Sequence, residues 1–239
     1  MEGPRAVAAA LDRGAPLRAV YLAPGAVDAF APLVARTAAA GVPMAELKEG
    51  VLERVGDTVT PQPVLAVARI VVPDVDVLSR EGLVVVGVEL GDPGNVGTIM
   101  RSAEASGAAA IVLGPGSVDA YNPKVVRASA GAIFGIPVLE AGTKGWTAVE
   151  ALDALGELGR QRLGAVAAAP VTYDAVDFRR PTAVVLGNEA RGIGHDVTGR
   201  LDGLVGIPLA APAESINVAM AATVLCFESA RQRAAGPAR

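Results

Sequence analysis

Cysteine, histidine and aromatic residues are nearly missing from these 239 residues: one Cys, one His, and 3% Phe, Trp and Tyr. A lone thiol excludes an internal disulfide and any metal cluster built on cysteine. Cys226, in ATVLCFESA, reads as a small buried apolar residue. One histidine leaves Ser-His-Asp or Cys-His chemistry a narrow choice of residues. His195 lies in the polar turn GIGHDVTG, the setting of a surface or capping residue. Long apolar runs are missing as well; none reaches the roughly 18–20 residues that span a bilayer. The N-terminal MEGPRAVAAALDRG has an early acid and no basic n-region, so no signal peptide is expected. A cytoplasmic chain without metal or membrane is the expectation. Net positive charge is also lacking: the formal charge is −4. That argues against a general polyanion coat but leaves room for a local basic site.

What is abundant is aliphatic. Hydrophobic residues make up 51% of the chain, so a large alanine-rich core is expected. Residues 1–72 read as a small α/β unit: helix-patterned PRAVAAALDRG, strand RAVYLAPG, helix DAFAPLVARTAAAG, strand VPMAELK, short helix EGVLERVGD and strand PVLAVARIV. The polar stretch PDVDVLSRE, residues 73–81, reads as a linker. From 82 to 239 the rhythm is regular. Apolar runs LVVVGVEL, AAIVLGPG, IPVLEA, LGAVAAA, TAVVLGNE and LVGIPLA alternate with helical segments near 97–106, 122–134, 146–158 and 214–233. Near-continuous Val, Ile, Leu and Ala runs mark strands buried on both faces. Their alternation with helices gives an α/β domain with a parallel sheet. In such sheets ligands bind beyond the carboxyl ends of the strands.

Three turns at such ends carry polar residues. GDPGNVGTIMR fits neither the Walker spacing, since it has no Lys, nor GxGxxG, so a nucleotide-dependent kinase or dehydrogenase is disfavoured. What it does hold is Asn95 and Arg101, with the arginine in the first or second helical turn, able to fork onto a phosphate. VVLGNEARGI places Glu189 after Asn188, between Gly187 and Gly192, as a partner for Arg101. VGIPLAAPAESINVAMAATVLCFESARQR runs from a strand through a loop into a long helix. Ser215 stands at the helix start, where capping is one reading. Asn217 is a poor helix former inside the first turn. The VAMAATVL face suits either core packing or a dimer interface.

Taken together and in this order, the three stretches resemble the motifs of the SpoU (TrmH-type) RNA 2′-O-ribose methyltransferases of the SPOUT class. Asn95, Gly97 and Arg101 match the first; Gly187, Glu189 and Gly192 the second; Ile207, Pro208, Ser215, Asn217 and Val218 the third. NPKVVRASAGAIFGIPV resembles the intervening stretch. The resemblance implies an α/β fold whose C-terminal part forms a trefoil knot, preceded by a ribosomal-protein-like RNA-binding domain that here lacks its first strand. It implies S-adenosylmethionine as cofactor, held at Leu186, Gly187, Asn188, Gly192, Ile207, Leu209, Ser215, Ile216 and Asn217. It implies a homodimer acting on RNA, with ribosomal RNA favoured over tRNA; a catalytically impaired assembly factor of the same fold is the alternative. Arg101, Asn95, Glu189, Ser215 and Asn217 would be the catalytic set, with Asn95 and Glu189 orienting Arg101, as base or as clamp. Lys124, Arg127 and Ser129, on one helix face, would join Arg101 in RNA contact. One departure is Ala211, where the family usually has glycine.

Overall fold

The computed structural model describes residues 1–56, 60–140, 147–210 and 215–236. The first unit opens with α1 (Pro4–Asp12), followed by β1 (Leu17–Leu22). The expected second helix is two, α2 (Ala26–Ala29) and α3 (Ala31–Ala39), broken at Phe30 (φ −120°, ψ 32°); Pro32 has no N–H to donate to the Asp28 carbonyl and sits in the first turn of α3, where none is needed. Then come β2 (Met44–Glu46), α4 (Leu52–Val55) and β3 (Val64–Ala68). The sheet order is β2-β1-β3, with β1 parallel to β2 and antiparallel to β3. Residues 1–3 run along the free side of β3: the Met1 amine donates to the Ala66 carbonyl at 2.9 Å, and Gly3 N–H donates to that of Val64 at 2.8 Å.

The stretch expected to be only a linker is partly packed. A 3-10 helix at Val75–Ser79 is capped by Asp74 and buries Val77 and Leu78. It leads into β4 (Val84–Gly87), α5 (Pro93–Ala105), β5 (Ala110–Leu113), α6 (Pro123–Ala128) and β6 (Val138–Glu140). The second half holds α7 (Ala148–Glu157), β7 (Gln161–Ala165), β8 (Val171–Thr172), β9 (Thr182–Leu186), α8 (His195–Thr198), β10 (Gly203–Gly206) and α9 (Val218–Ala234). Seven parallel strands form the sheet, ordered β6-β5-β4-β9-β7-β10-β8.

The apolar runs do what their pattern requires. Along the segment entering β4 the pleat sends Leu83 and Val85 to one face and Val84 and Val86 to the other, and all four are buried. The first face packs against Ile99 and Met100 of α5, Val125 of α6 and Leu225 of α9; the second packs against Leu152 and Leu155 of α7 and Val197 of α8. Beside β4, the chain leaves toward β5; beside β9, it leaves the other way toward β10. Such a reversal opens a crevice at the carboxyl ends of the two strands.

Gly97 lies inside α5 and lets that helix touch α6. A Cβ there would sit 2.4 Å from the Ala128 Cβ and 2.7 Å from its carbonyl carbon. The glycine signals helix contact rather than a turn.

Candidate functional site

Three helices of the larger unit begin with an Asx cap, and two of these caps build the site. Asp92 caps α5 through Oδ1, which accepts from Asn95 N–H at 2.7 Å. Pro93 supplies the fixed φ of the first position. The helix therefore begins before the expected 97. Asn95 lies in its first turn and Arg101 in its third, a correction to the expectation of the first or second.

Asn217 likewise caps α9 rather than lying inside its first turn. Its Oδ1 accepts from Ala219 N–H at 2.9 Å and Met220 N–H at 3.3 Å. Ser215 stands two residues before this cap, so it is not the cap. The cap fixes which end of the Asn217 amide points out. Its Nδ2 donates to Asn95 Oδ1 at 2.9 Å, and Asn95 Nδ2 in turn donates to Glu189 Oε1 at 2.6 Å. The result is a one-way chain of donors from the positive end of α9 to a carboxylate. It joins residues 122 and 94 positions apart in sequence.

Arg101 takes no part in it. Asn95 and Glu189 bond each other rather than orienting the arginine, because six residues of helix turn Arg101 about 120° away from Asn95. Arg101 is exposed and has no hydrogen-bond or ion-pair partner among the described residues. The Asn95 and Glu189 role toward Arg101 is corrected accordingly.

Next to this chain of amides, a cleft of about 510 Å³ opens beyond the carboxyl ends of β7, β9 and β10. All nine residues expected to hold the cofactor line it: Leu186, Gly187, Asn188, Gly192, Ile207, Leu209, Ser215, Ile216 and Asn217. Glu189 lines it too, while Arg101 and Asn95 do not. Val166 and Ala167 after β7, and Ala221 and Leu225 on α9, add to the wall. The sequence had no polar signal for these four, since each is one more aliphatic residue in an aliphatic run.

The loop after β9 is held tightly. Asn188 and Gly192 exchange backbone hydrogen bonds at 3.0 and 2.8 Å. The Asn188 side chain accepts from Ala190 and Arg191 N–H and donates through Nδ2 to the Glu89 carbonyl at 2.9 Å. A Cβ on Gly187 would fall 2.4 Å from the Gly192 carbonyl group. Glu89 holds a left-handed backbone, φ 54°, and its carboxylate pairs with Arg191 at 2.5 Å. The size of the cleft suits a nucleoside-sized ligand. Aliphatic walls suit a purine face, and a single carboxylate at the rim suits a cationic group. S-adenosylmethionine has both features and fits.

The residues proposed for RNA contact separate. Lys124 and Arg127 are exposed on α6. Ser129 is 0% exposed and donates to the Val126 carbonyl at 2.8 Å, so it turns into the core and cannot meet RNA. Ala211 lies outside the described residues. His195 is exposed as the first residue of α8, and Cys226 is buried, its thiol pushed up to about 12 by burial. Among the described residues no cluster of metal-binding side chains occurs and no helix is long and apolar enough to cross a membrane.

Residues 82–227 match the SpoU rRNA Methylase family, and residues 1–71 match the RNA 2′-O ribose methyltransferase substrate binding family. A relative in Bacillus subtilis, the 23S rRNA (guanosine(2553)-2′-O)-methyltransferase RlmP, is 32% identical over 188 residues, covering 78% of this chain and 72% of that protein. The 23S rRNA (uridine(2479)-2′-O)-methyltransferase of Streptomyces viridochromogenes is 37% identical over 152 residues, covering 60% of this chain and 50% of its own length. The crystal structure of the SpoU methyltransferase AviRb from Streptomyces viridochromogenes, in complex with the cofactor AdoMet, superposes with a TM-score of 0.81 at 28% identity, covering 99% of this chain and 90% of that one.

Proposed function

The chain belongs to the SpoU rRNA methylase family, and from that premise we propose that it methylates a ribose 2′-oxygen of RNA, using S-adenosylmethionine and favouring ribosomal RNA. The observation that carries the reading is the Asn217–Asn95–Glu189 chain at the mouth of a cleft of the right size and chemistry. Residues of the loops after β9 and β10, with Ser215, Ile216 and Asn217, would hold the cofactor. When bound, it supplies an electrophilic methyl group.

The chain's own residues would do the rest. Asn217 spends its acceptor on the helix and its donor on Asn95, so its side chain is fixed. Asn95 in turn holds one oxygen of Glu189, and the other oxygen has no partner among the described residues. That free oxygen can position a ribose hydroxyl or a cationic group beside the cleft. The attacking hydroxyl must lose its proton near the transition state. Arginine stays protonated in proteins and does not readily accept that task. Arg101, exposed and uncommitted, is better suited to fork onto an RNA phosphate, with a phosphate oxygen or water taking the proton. Lys124 and Arg127 would add phosphate contacts.

Residues 1–72 would serve as the RNA-binding unit, 73–81 as the partly packed connection and 82–239 as the catalytic domain. A trefoil knot in the last part of the chain is proposed with the family fold; support comes from α9, which packs on α5 and β9 after β10 has been laid beyond β7. A homodimer is also proposed. Ala219 and Ala222 of α9 face the core, whereas Met220 (64% exposed) and Phe227 (49% exposed), seven apart, leave an apolar stripe outward. A second copy would cover it.

The test is transfer of labelled methyl from S-adenosylmethionine to unmodified total RNA, followed by mapping of the modified ribose. Incorporation at one 2′-position is expected. Cofactor binding without transfer to any RNA would replace the enzyme with a binding factor of the same fold.

A further inference from the structure

At the other end of the sheet, residues just before β4, β7 and β9 enclose a second cleft, also of about 510 Å³. It lies one strand length from the cofactor cleft, roughly 15 Å by strand geometry. Five arginines line it: Arg80, Arg160, Arg179, Arg180 and Arg233. The molecule as a whole is acidic, so this is a local reversal of sign.

The five are committed differently. Arg179 is held by Asp177 at 2.6 Å. Arg160 is only 4% exposed. Its Nε donates to the Leu78 carbonyl at 2.7 Å, Nη1 to those of Gly82 and Thr182 at 2.7 and 3.3 Å, and Nη2 to that of Arg80. Arg233 donates to the carbonyls of Ser106, Gly107 and Ser229. Carbonyl oxygens satisfy hydrogen bonds without cancelling charge. Among the described residues no carboxylate lies within ion-pair distance of Arg80, Arg160, Arg180 or Arg233; Arg180 feels Asp177 and Asp202 at longer range, of which Asp202 is paired with Arg162, and the single acid lining the cleft is Glu81. With Asp177 and Glu81 counted against the five, three positive charges remain. Burial and the neighbouring Arg233 both push the Arg160 pKa downward, the response of a cation that lacks an anion.

A second observation is independent of charge. Ser229 lines the same cleft and is 1% exposed, and its Oγ has no hydrogen-bond partner among the described residues. Buried hydroxyls are nearly always bonded. An unpaired donor and an excess of guanidinium in one cleft call for a ligand with negative charge and several acceptor oxygens, and a phosphate has both.

We propose that this cleft binds a phosphodiester of the substrate RNA, as a second anchor away from the reacting ribose. The assignment rests on the RNA methyltransferase reading. The rim favours a polymer over a small metabolite: Arg80 and Arg180 are exposed, Leu158 is 45% exposed, and Phe178, the only aromatic ring among the described residues lining the cleft, is buried. Nothing there reads a base or sugar, as expected of a contact that positions without specifying.

The test uses the full chain and a double variant, Arg80→Ala with Arg180→Ala, two exposed side chains without partners among the described residues. Affinity for unmodified ribosomal RNA transcribed in vitro is measured across a salt series, beside binding of S-adenosylmethionine and of inorganic phosphate. The expected result is RNA affinity lower by about tenfold near 0.1 M salt and a log–log salt slope shallower by about 1 to 2, with cofactor affinity and melting temperature unchanged. Arg180→Lys keeps the charge and is expected to keep the slope. Equal RNA affinity and slope in wild type and double variant would overturn the proposal. So would loss of inorganic phosphate binding in the variant with RNA binding intact, which would make the cleft a small-anion site. Failure of the methyltransferase reading would look different: wild-type protein that binds cofactor and RNA but transfers no methyl.

Discussion

Replacing Asn217 by aspartate separates its two duties. The carboxylate keeps an oxygen for the N–H groups of Ala219 and Met220, and its charge at a helix N-terminus is favourable by about 0.3–1 kcal/mol. What it loses is the donor to Asn95 Oδ1. Two arrangements are then open to Asn95. It can turn its amide to face Asp at 217, which presents oxygen to Glu189, or it can stay and face a carboxylate with oxygen. In the first case the bond to Glu189 is exchanged for one to the new carboxylate, and Glu189 loses its donor; in the second the amide–amide bond, worth about 1 kcal/mol, is lost and two oxygens face each other. If the amide chain holds Glu189 for the reaction, kcat for methyl transfer should fall by about 10- to 100-fold, at roughly 1.4 kcal/mol per tenfold. Melting temperature should stay within about 3 °C of wild type. Asn217→Ala is the control. It loses the cap, about 1 kcal/mol, and the amide bond, about another 1 kcal/mol. For a chain of this size that is a melting-temperature drop of about 4–8 °C. Single-turnover transfer with tritiated cofactor and differential scanning fluorimetry measure both effects. An aspartate variant with kcat within twofold of wild type would show that Asn217 only caps α9, and the argument from donor direction would be refuted.

Other perturbations follow from geometry already given. Arg101→Lys and Arg101→Ala should each leave stability and cofactor affinity unchanged while transfer falls, more for alanine; near-full transfer by the lysine variant would remove any need for a forked contact. Gly97→Ala sets a Cβ 2.4 Å from that of Ala128 and should cost about 1–3 kcal/mol, seen as a lower urea midpoint; adding Ala128→Gly should restore only part, because the backbone at 2.7 Å stays in the way. Cys226 should resist maleimide in the folded chain and label quickly in denaturant, being buried. Because its folded thiol titrates near 12 against an ordinary 9.0, the unfolded chain releases that proton first. Stability is fully present below about pH 9 and falls as pH rises toward 12, by up to about 1.4 kcal/mol per pH unit from this group. A flat urea midpoint for wild type relative to Cys226→Ala over that range would contradict it.

The larger unit was legible because its strands are buried on both faces: runs such as LVVVGVEL and TAVVLGNE have no other setting. The walls of the cofactor cleft were legible for a different reason, since Gly187, Asn188 and Ser215 interrupt apolar runs at strand ends. What the sequence withheld concerns side-chain direction. Arg101 and Asn95 look like partners six residues apart, yet a helix beginning at Pro93 points them to different sides. Ser129 reads as polar surface, yet its backbone follows the end of α6 and turns the hydroxyl inward. The arginine-lined cleft draws residues from 79–83, 158–160, 178–182 and 229–236, each with no more than two of the five arginines. No single stretch could announce it.

The strand order bears on how the chain reaches this state. β4 and β9 lie side by side although about a hundred residues separate them, and the site's side chains meet only after that pairing is in place. Closing so long a loop costs entropy before any contact returns it, which makes parallel sheets of this kind slow to form. Refolding from denaturant should therefore recover helical signal early and ligand-binding capacity late. During that interval the half-sheet β4–β5–β6 would expose an apolar edge at β4, the strand that β9 later covers. The crevice that serves the reaction is thus also the seam where the unfinished chain is most open to sticking to its neighbours.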